Sequence, residues 1–163
     1  ERQGDYSRAA GASALGARIR RLSERLDRET AQIYAAQGVR FEQRWFGILN
    51  QSIMNGPMTV GEIAEALSVT HVSVSQARRA LEGEGLIHAV SDPADARRRL
   101  LSLTPQGDSL VASLAPLWRA LSDSAEELNA EAGDLVRLLD RLEDALDARP
   151  WSDRVAAHLA LPD

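Results

Sequence analysis

Two short segments of the chain carry polar side chains at spacings that suit recognition of a nucleic acid. The first is one face of an expected helix, which carries hydroxyl, imidazole, amide and guanidinium groups beside one small apolar side chain: Thr70, His71, Val72, Ser73, Ser75, Gln76 and Arg79. The second is the run Arg97, Arg98 and Arg99. Amides and hydroxyls match donors and acceptors on base edges, whereas guanidinium groups bind phosphates or enter a narrow minor groove. These residue types therefore favour contact with double-stranded DNA.

The first segment needs a pair of short helices to position it. Thr59 and Glu62 have the spacing of a capping box, in which hydroxyl and carboxylate each satisfy a backbone N–H at a helix start. After a turn at residues 68–69, Thr70 can cap the second helix. The apolar side chains that the two helices turn inward are Ile63, Ala64, Leu67, Val74, Ala77 and Leu81. Gly85 suits the left-handed position just past the second helix.

The arginine run needs a hairpin. Apolar residues 86–90 and 100–103 flank a polar stretch that begins with Asp92-Pro93, a turn signal, so the two runs predict paired strands with the arginines at the bend. Thr104-Pro105 then starts another helix. Helix, turn, helix and hairpin is the layout of a winged helix-turn-helix, so we expect a mainly α fold with a small β-hairpin wing and flanking helices.

The same residues resemble the multiple-antibiotic-resistance repressor (MarR) family of bacterial regulators. The most specific part is the D-x-R wing followed by L-T-x-x-G, carried here by Asp95, Arg97, Leu103, Thr104 and Gly107. The resemblance implies one domain over residues 1–163. Its parts are a winged helix-turn-helix at 40–107, called the reading unit below, and dimerisation helices at 13–37 and 108–161. One long helix precedes the reading unit and two follow it. It also implies a structural role for Asp95, and a homodimer that binds pseudo-palindromic operators and releases them on binding a small aromatic molecule.

One position departs from the family pattern. Members usually carry an apolar residue where this chain has Arg78, about 40° from the inward stripe on a helical projection. This side chain can either snorkel or pair with a carboxylate such as Asp95 or Glu82, and both arrangements argue against direct contact with DNA.

The distribution of charge is uneven. The net charge is −5, yet residues 1–50 hold nine arginines against six acids, residues 51–107 five against six, and residues 108–163 five against twelve. Most of the excess acid therefore lies outside the expected reading unit. Attraction to phosphate depends on charge within about one Debye length, ~8–10 Å at physiological salt, so a clustered wing can bind despite the negative total.

Narrow leucine-rich stripes mark the helices that flank the reading unit. Their members are Leu15, Ile19, Leu22, Leu26 and Ile33; then Leu110, Leu114, Leu117, Leu121 and Leu128; and then Leu135, Leu138, Leu139, Leu142 and Leu146. One stripe alone is compatible with an ordinary core, but together they offer more apolar surface than a small reading unit can cover. We expect a homodimer interface built from the first and last helices.

The sequence offers little for other chemistry. The histidines at 71, 88 and 158 lack the i, i+4 spacing of metal ligands, and no nucleophile elbow, phosphate loop or glycine fingerprint occurs, so we expect no metal, no cofactor and no catalysis. Cysteine is absent, which excludes disulfides and thiol-based sensing of oxidants. No apolar run approaches a membrane span and no signal peptide is visible, so we expect a bacterial cytoplasmic protein.

A possible effector site is the cluster of scarce aromatic residues. Tyr34, Trp45 and Trp118 could line a pocket between the dimerisation helices and the reading unit, with Arg44 holding a carboxylate and the rings stacking on an aromatic ligand. Core packing is the alternative, because Phe41, Trp45, Ile48 and Leu49 share a helical face.

The function that these patterns favour is a homodimeric, sequence-specific DNA-binding regulator, a repressor released by a small aromatic ligand. One alternative is a winged helix that binds protein, which would not need Arg97 at its wing. Another is the regulatory part of a longer chain, because similar segments are sometimes joined to an acetyltransferase domain.

Overall fold

The computed structural model describes residues 5–159, which are mainly helical with one two-stranded antiparallel sheet. In chain order the elements are α1 (Tyr6–Ala9), a 3-10 turn (Gly11–Ala14), α2 (Leu15–Ala36), α3 (Gln43–Asn55), α4 (Val60–Ala66), α5 (His71–Gly83), β1 (Ile87–Ser91), β2 (Arg99–Leu103), α6 (Pro105–Glu131), α7 (Leu135–Ala148) and α8 (Trp151–Leu159). This order confirms the predicted fold class. The chain forms two compact units, residues 1–111 and 112–163.

The core of the first unit lies among α3, α4, α5 and the hairpin. Its most deeply buried aliphatic side chains come from every one of these elements: Ile48, Leu49, Ile63, Val74, Leu81, Ile87 and Leu101. The strands pair as expected, Ile87 opposite Leu103 and Ser91 opposite Arg99. Met58 extends the sheet, because its carbonyl accepts the Leu101 N–H at 2.8 Å. The wing is therefore fixed at its base by the same core that holds the two helices.

The helix-turn-helix is shaped by its caps. Thr59 Oγ1 accepts from the N–H of Glu62 at 3.2 Å and Glu62 Oε2 accepts from the N–H of Thr59 at 2.8 Å, which confirms the capping box. In the turn, Ser68 has a φ of 52° and so lies in the left-handed region. Thr70 Oγ1 accepts from the Ser73 N–H at 3.1 Å and begins α5. Gly85, at a φ of 69°, ends that helix turn as predicted.

The L-T-x-x-G motif is a junction between the end of α5 and the start of α6. The Thr104 hydroxyl donates to the Gly85 carbonyl at 2.6 Å and accepts from the Gly107 N–H at 3.0 Å. A Cβ on Gly107 would lie 2.1 Å from the Leu86 carbonyl oxygen, closer than any contact can be. Glycine is therefore required here because the Leu86 backbone occupies the space of a side chain.

Three details differ from the sequence expectations. The last part of the chain holds three helices where two were expected, because Arg149 is extended ahead of Pro150 and separates α7 from α8. Phe41 lies before α3 and not on it, although its side chain is buried. Arg99 is the first residue of β2 and not part of the bend.

The apolar stripes on α2 and α7 are exposed in the single chain. On α2 the stripe side chains Leu15, Ile19, Leu22, Leu26 and Ile33 are between 38% and 51% exposed. Leu135, Leu138 and Leu146 on α7 are exposed as well, and so is Trp151 at the start of α8. Exposed apolar faces of this extent mark interaction surfaces in soluble proteins.

Candidate DNA-reading surface

The outward face of α5 presents the polar side chains that the sequence placed there. His71, Ser73, Gln76 and Arg79 are exposed, and Val72 is 64% exposed. Ser75 is half-buried and its Oγ lies 3.5 Å from His71 Nδ1. These groups combine donors, acceptors and one small apolar surface within about two and a half helical turns, which is the size of face that a major groove admits. Their role in DNA binding stays a prediction.

Thr70 has a second role at the start of α5. Its hydroxyl oxygen is used to cap the helix through the Ser73 N–H. The hydroxyl hydrogen remains available to donate, and the helix N-terminus itself favours an anion such as a phosphate. A DNA contact by Thr70 would therefore be made at the N-terminus of α5, where a phosphate is the favoured partner.

Arg78 is held within the protein. Its Nε lies 3.1 Å from Glu82 Oε1, one turn along the same helix. The Nε–H itself makes no hydrogen bond in the described part of the chain, so the contact is an ion pair. The expected pairing of Arg78 with Glu82 is confirmed.

The bend of the wing is built from two aspartates. Asp92 Oδ1 accepts from the Ala94 N–H at 2.8 Å, and Asp95 Oδ1 accepts from the Arg97 N–H at 3.0 Å. The Asp95 carbonyl also accepts from the Arg98 N–H at 2.9 Å. Such side-chain turns satisfy backbone groups that the strands leave unpaired. The structural role that the family resemblance implied for Asp95 agrees with this geometry.

The three arginines of the wing have different surroundings. Arg98 binds two carboxylates, those of Glu62 on α4 and Asp92 at the start of the bend. Arg99 donates to Ser91 Oγ at 2.7 Å across the strand pair. Arg97 is exposed, and its guanidinium makes no ion pair or hydrogen bond within residues 5–159. Of the three, Arg97 is the one whose guanidinium has no polar contact within the described residues.

Glu62 is electrostatically fixed where the wing meets α4. The backbone N–H and hydroxyl of Thr59, and then the charge of Arg98, hold the pKa of Glu62 below its usual range. The carboxylate is therefore ionised at neutral pH and remains a partner for Arg98. This ion pair was not anticipated from the sequence, because its members are 36 positions apart.

The aromatic residues of the first unit form a buried cluster. The Tyr34 and Phe41 rings lie 4.7 Å apart, and the Phe41 and Trp45 rings 5.6 Å apart in an edge-to-face arrangement. Arg44 is exposed and its Nε lies 2.5 Å from Glu42 Oε2. Trp118 is half-buried in the second unit. The cluster fits the core-packing alternative for Tyr34 and Trp45, and the structure gives Arg44 a surface partner.

One atom of this cluster lacks a partner. Trp45 is 2% exposed, and its indole Nε1–H makes no hydrogen bond within the described residues. A buried N–H without an acceptor costs free energy, so such atoms are uncommon outside sites that take a ligand or a water.

Within residues 5–159 no group of three potential metal-ligating side chains is found. In the same range no helix is both long and apolar enough to cross a membrane.

The reading surface and wing match a known family. The MarR family model matches residues 40–98, which run from just before α3 to the bend of the wing. This matched segment is a winged helix-turn-helix of the type found in the MarR family of transcriptional regulators. A transcriptional regulatory protein for the hcr operon of Thauera aromatica is 35% identical over 100 residues, which is 60% of each chain. The chain thus aligns with less than two thirds of that relative's length.

Solved structures extend the likeness beyond the aligned segment. A MarR family regulator from Neisseria meningitidis has 27% identity and a TM-score of 0.58, covering 83% of this chain and 91% of that one. BpsR of Bordetella bronchiseptica, whose DNA binding is regulated by 6-hydroxynicotinic acid, has 24% identity and a TM-score of 0.66, covering 79% and 92%. At that identity the second likeness concerns the fold alone.

Proposed function

We propose that this chain acts as a homodimer that binds an inverted-repeat operator, with α5 in the major groove and the wing in the adjacent minor groove. The observation that carries the proposal is that two neighbouring elements expose different kinds of DNA-binding group. The outward face of α5 presents His71, Gln76 and Arg79 to solvent, and Arg97 extends from the neighbouring wing without a partner among the described residues. Short polar groups suit base edges, and an unpaired guanidinium suits a narrow groove.

Dimerisation rests on the exposed stripes. Leucine and isoleucine side chains repeat along α2 at spacings of three, four and seven, which places them on one side of the helix. Leu22 and Leu26 are about half exposed, as is Leu138 on α7. A second copy of the chain would remove this apolar surface from water, and a two-fold axis would give each operator half its own α5.

The small number of unpaired cations favours operator binding over non-specific binding. Within the surface that would face DNA, the charges of Arg78 and Arg98 are neutralised by nearby carboxylates, which leaves Arg79, Arg97 and Arg99 without an ion pair among the described residues. Few phosphate contacts mean weak non-specific binding, because that binding scales with the number of neutralised phosphates. Affinity for an operator then depends on the base contacts of α5.

Regulation by a small aromatic molecule is the finer part of the proposal. The relative BpsR responds to an aromatic acid, 6-hydroxynicotinic acid. In this chain the unbonded Trp45 Nε1–H lies in a cluster with Tyr34 and Phe41, so a ligand there could accept a hydrogen bond and stack on a ring. The ligand would lower DNA affinity, so that the chain acts as a repressor released by its effector.

The test combines oligomeric state with DNA binding. Sedimentation of the purified chain is expected to give a dimer at micromolar concentration. Mobility shifts with the intergenic DNA beside the gene are expected to show one saturable complex on any inverted repeat there, and a scrambled repeat of equal length is the matched control. A monomer that binds repeat and scrambled DNA equally would overturn the proposal.

A further inference from the structure

The wing is tied to the helix-turn-helix through one side chain, Arg98. Its Nη2 binds Glu62 Oε1 on the first turn of α4, and its Nη1 lies 3.3 Å from Asp92 Oδ2 at the start of the bend. The guanidinium therefore joins two elements that are far apart in the chain. Both flanking residues behave differently, because Arg97 points to solvent and Arg99 bonds across the strands.

Each carboxylate is fixed in place before Arg98 binds it. Glu62 uses Oε2 for the Thr59 N–H at 2.8 Å and the Thr59 hydroxyl at 2.9 Å, which leaves Oε1 for the arginine. Asp92 uses Oδ1 for the Ala94 N–H and leaves Oδ2. Partners that are already ordered cost little further side-chain entropy when the ion pairs form, unlike an ordinary surface pair.

The bend has little else to hold it. Residues 93–98 are all exposed, so no apolar burial fixes the segment that carries Arg97. Its internal hydrogen bonds, such as Arg98 N–H to the Asp95 carbonyl, shape the bend but do not attach it to α4. Among the described residues, Arg98 supplies the ion pair that makes this attachment.

We propose that Arg98 is a positioning residue, which anchors the wing on α4 and so holds Arg97 where it meets the minor groove. The inference rests on the proposed DNA-binding function. Arg98 then contributes to affinity by limiting the conformations of the free wing, not by touching DNA. Because it also connects the wing to the cap of α4, it fixes the distance between the groove contacts of the wing and those of α5.

The test uses the full chain and a duplex selected by the wild-type protein from a randomised pool. We expect Arg98→Ala to weaken binding about tenfold in the dimer, since each wing loses an ion-pair network of modest strength. Arg97→Ala should then cause little further loss in the Arg98→Ala background, because the wing that carries Arg97 is no longer held. Arg21→Ala is the matched control, since it removes the same charge and an exposed ion pair with Asp5 but lies on α2, outside the wing.

Non-additivity is the decisive readout. If Arg98 contacts a phosphate itself, the losses from Arg97→Ala and Arg98→Ala will add, and each will lower the salt slope by about one unit per wing. That outcome overturns the positioning role. Relaxed A·T preference in Arg98→Ala, with base preference under α5 retained, supports it.

A second measurement does not depend on DNA. Glu62→Gln keeps an amide oxygen that can cap Thr59, yet it removes the charge that holds Arg98. In both Glu62→Gln and Arg98→Ala, amide hydrogen exchange at residues 94–98 should be roughly fivefold faster than in wild type, with α5 unchanged. Unchanged exchange in the wing would overturn the inference. A wild-type chain that selects no sequence would instead overturn the proposed function, and the exchange data would still decide whether Arg98 anchors the wing.

Discussion

The reading unit and the flanking helices carry the same types of apolar side chain at the same helical spacing, but the reading unit buries them and the flanking helices expose them. In the reading unit Ile63 and Leu81 are fully buried among α3, α4, α5 and the hairpin. On α2 and α7, Leu22 and Leu138 have the same helical spacing, yet about half of each side chain is exposed. Periodicity thus identifies the face of a helix that seeks a partner, but it does not say whether that partner lies in the same chain. The flanking helices therefore keep an apolar face that the single chain leaves exposed, and the proposed homodimer would bury that face.

The largest effect should come from placing a charge on the exposed stripe. Leu22→Glu is expected to give a monomer and to weaken operator binding by ~100-fold or more, because each half-site is then bound without the avidity of the dimer. Ala17→Glu adds the same charge to the opposite side of α2, where the side chain is exposed, and should leave the dimer intact. Analytical ultracentrifugation of both variants checks the result. A dimeric Leu22→Glu would show that the stripe is not the interface.

A buried position in the reading unit should respond through stability and not through assembly. Gly107→Ala places a methyl group against the Leu86 carbonyl and should destabilise the fold by about 2–4 kcal/mol. At Gly83 an added Cβ meets no atom within 4 Å, so Gly83→Ala should stabilise α5 by roughly 0.5–1 kcal/mol. Urea unfolding of the two variants measures the contrast. Equal stabilities would mean that the junction between α5 and α6 is not as tight as described.

Local features were predictable from the sequence, because their chemistry is contained within a few residues. The capping box at Thr59 and Glu62, the cap at Thr70 and the left-handed Gly85 each depend on neighbours in the chain. The pairing of the two strands followed from the apolar runs that flank Asp92-Pro93. These local features were sufficient to predict the reading unit, and with it the fold class.

Contacts between distant segments could not be predicted in this way. The pair Arg98 and Glu62 depends on how the wing folds back on α4, and no short pattern encodes that distance. The D-x-R motif distinguished Arg97 in the sequence, whereas the separate roles of Arg98 and Arg99 follow only from the structure. Pro150 is a different case, since its restriction of Arg149 to extended backbone is a local signal for the end of α7.

Within the reading unit, Gln76→Ala should change specificity more than overall attraction to DNA. Loss of a paired amide contact to a base is expected to cost ~1–3 kcal/mol of discrimination, with the salt slope unchanged. Ser109→Ala, on the first turns of α6 and bonded to the Pro105 carbonyl, is a polar-to-alanine control away from α5. Titration of the selected duplex and its single-base variants measures both quantities. Unaltered base preference would remove Gln76 from the reading face.

Arg97→Ala separates the contribution of the wing to DNA binding from that of α5. It is expected to lower the salt slope by about one unit for each wing and to reduce A·T preference outside the half-sites, while base preference under α5 is retained. Binding measured between 50 and 200 mM salt, as a rough working range for such slopes, provides the comparison. An unchanged slope together with unchanged flanking preference would favour a wing that binds protein.

The smallest effect concerns the aromatic cluster. An aromatic carboxylate that binds beside Trp45 is expected to lower operator affinity by only ~1–3 kcal/mol, the usual coupling between two sites. Tryptophan fluorescence titrated with a panel of aromatic acids, run beside operator binding, checks this. Trp118→Phe combined with Trp151→Phe removes both tryptophans of the second unit and leaves Trp45 as the source of the signal. Quenching of Trp45 without a change in operator affinity would mean a binding site without regulation.

The most direct test of the central claim is selection of duplexes from a randomised pool by the dimer, followed by sequencing. The account predicts an inverted repeat whose half-site centres lie about one helical turn apart, roughly 10 bp or ~34 Å, because two symmetry-related α5 helices must meet the same side of the duplex. Arg97→Ala should keep this repeat and lose only its flanking A·T preference. Enrichment of single, unrepeated sites, or no enrichment at all, would contradict the claim.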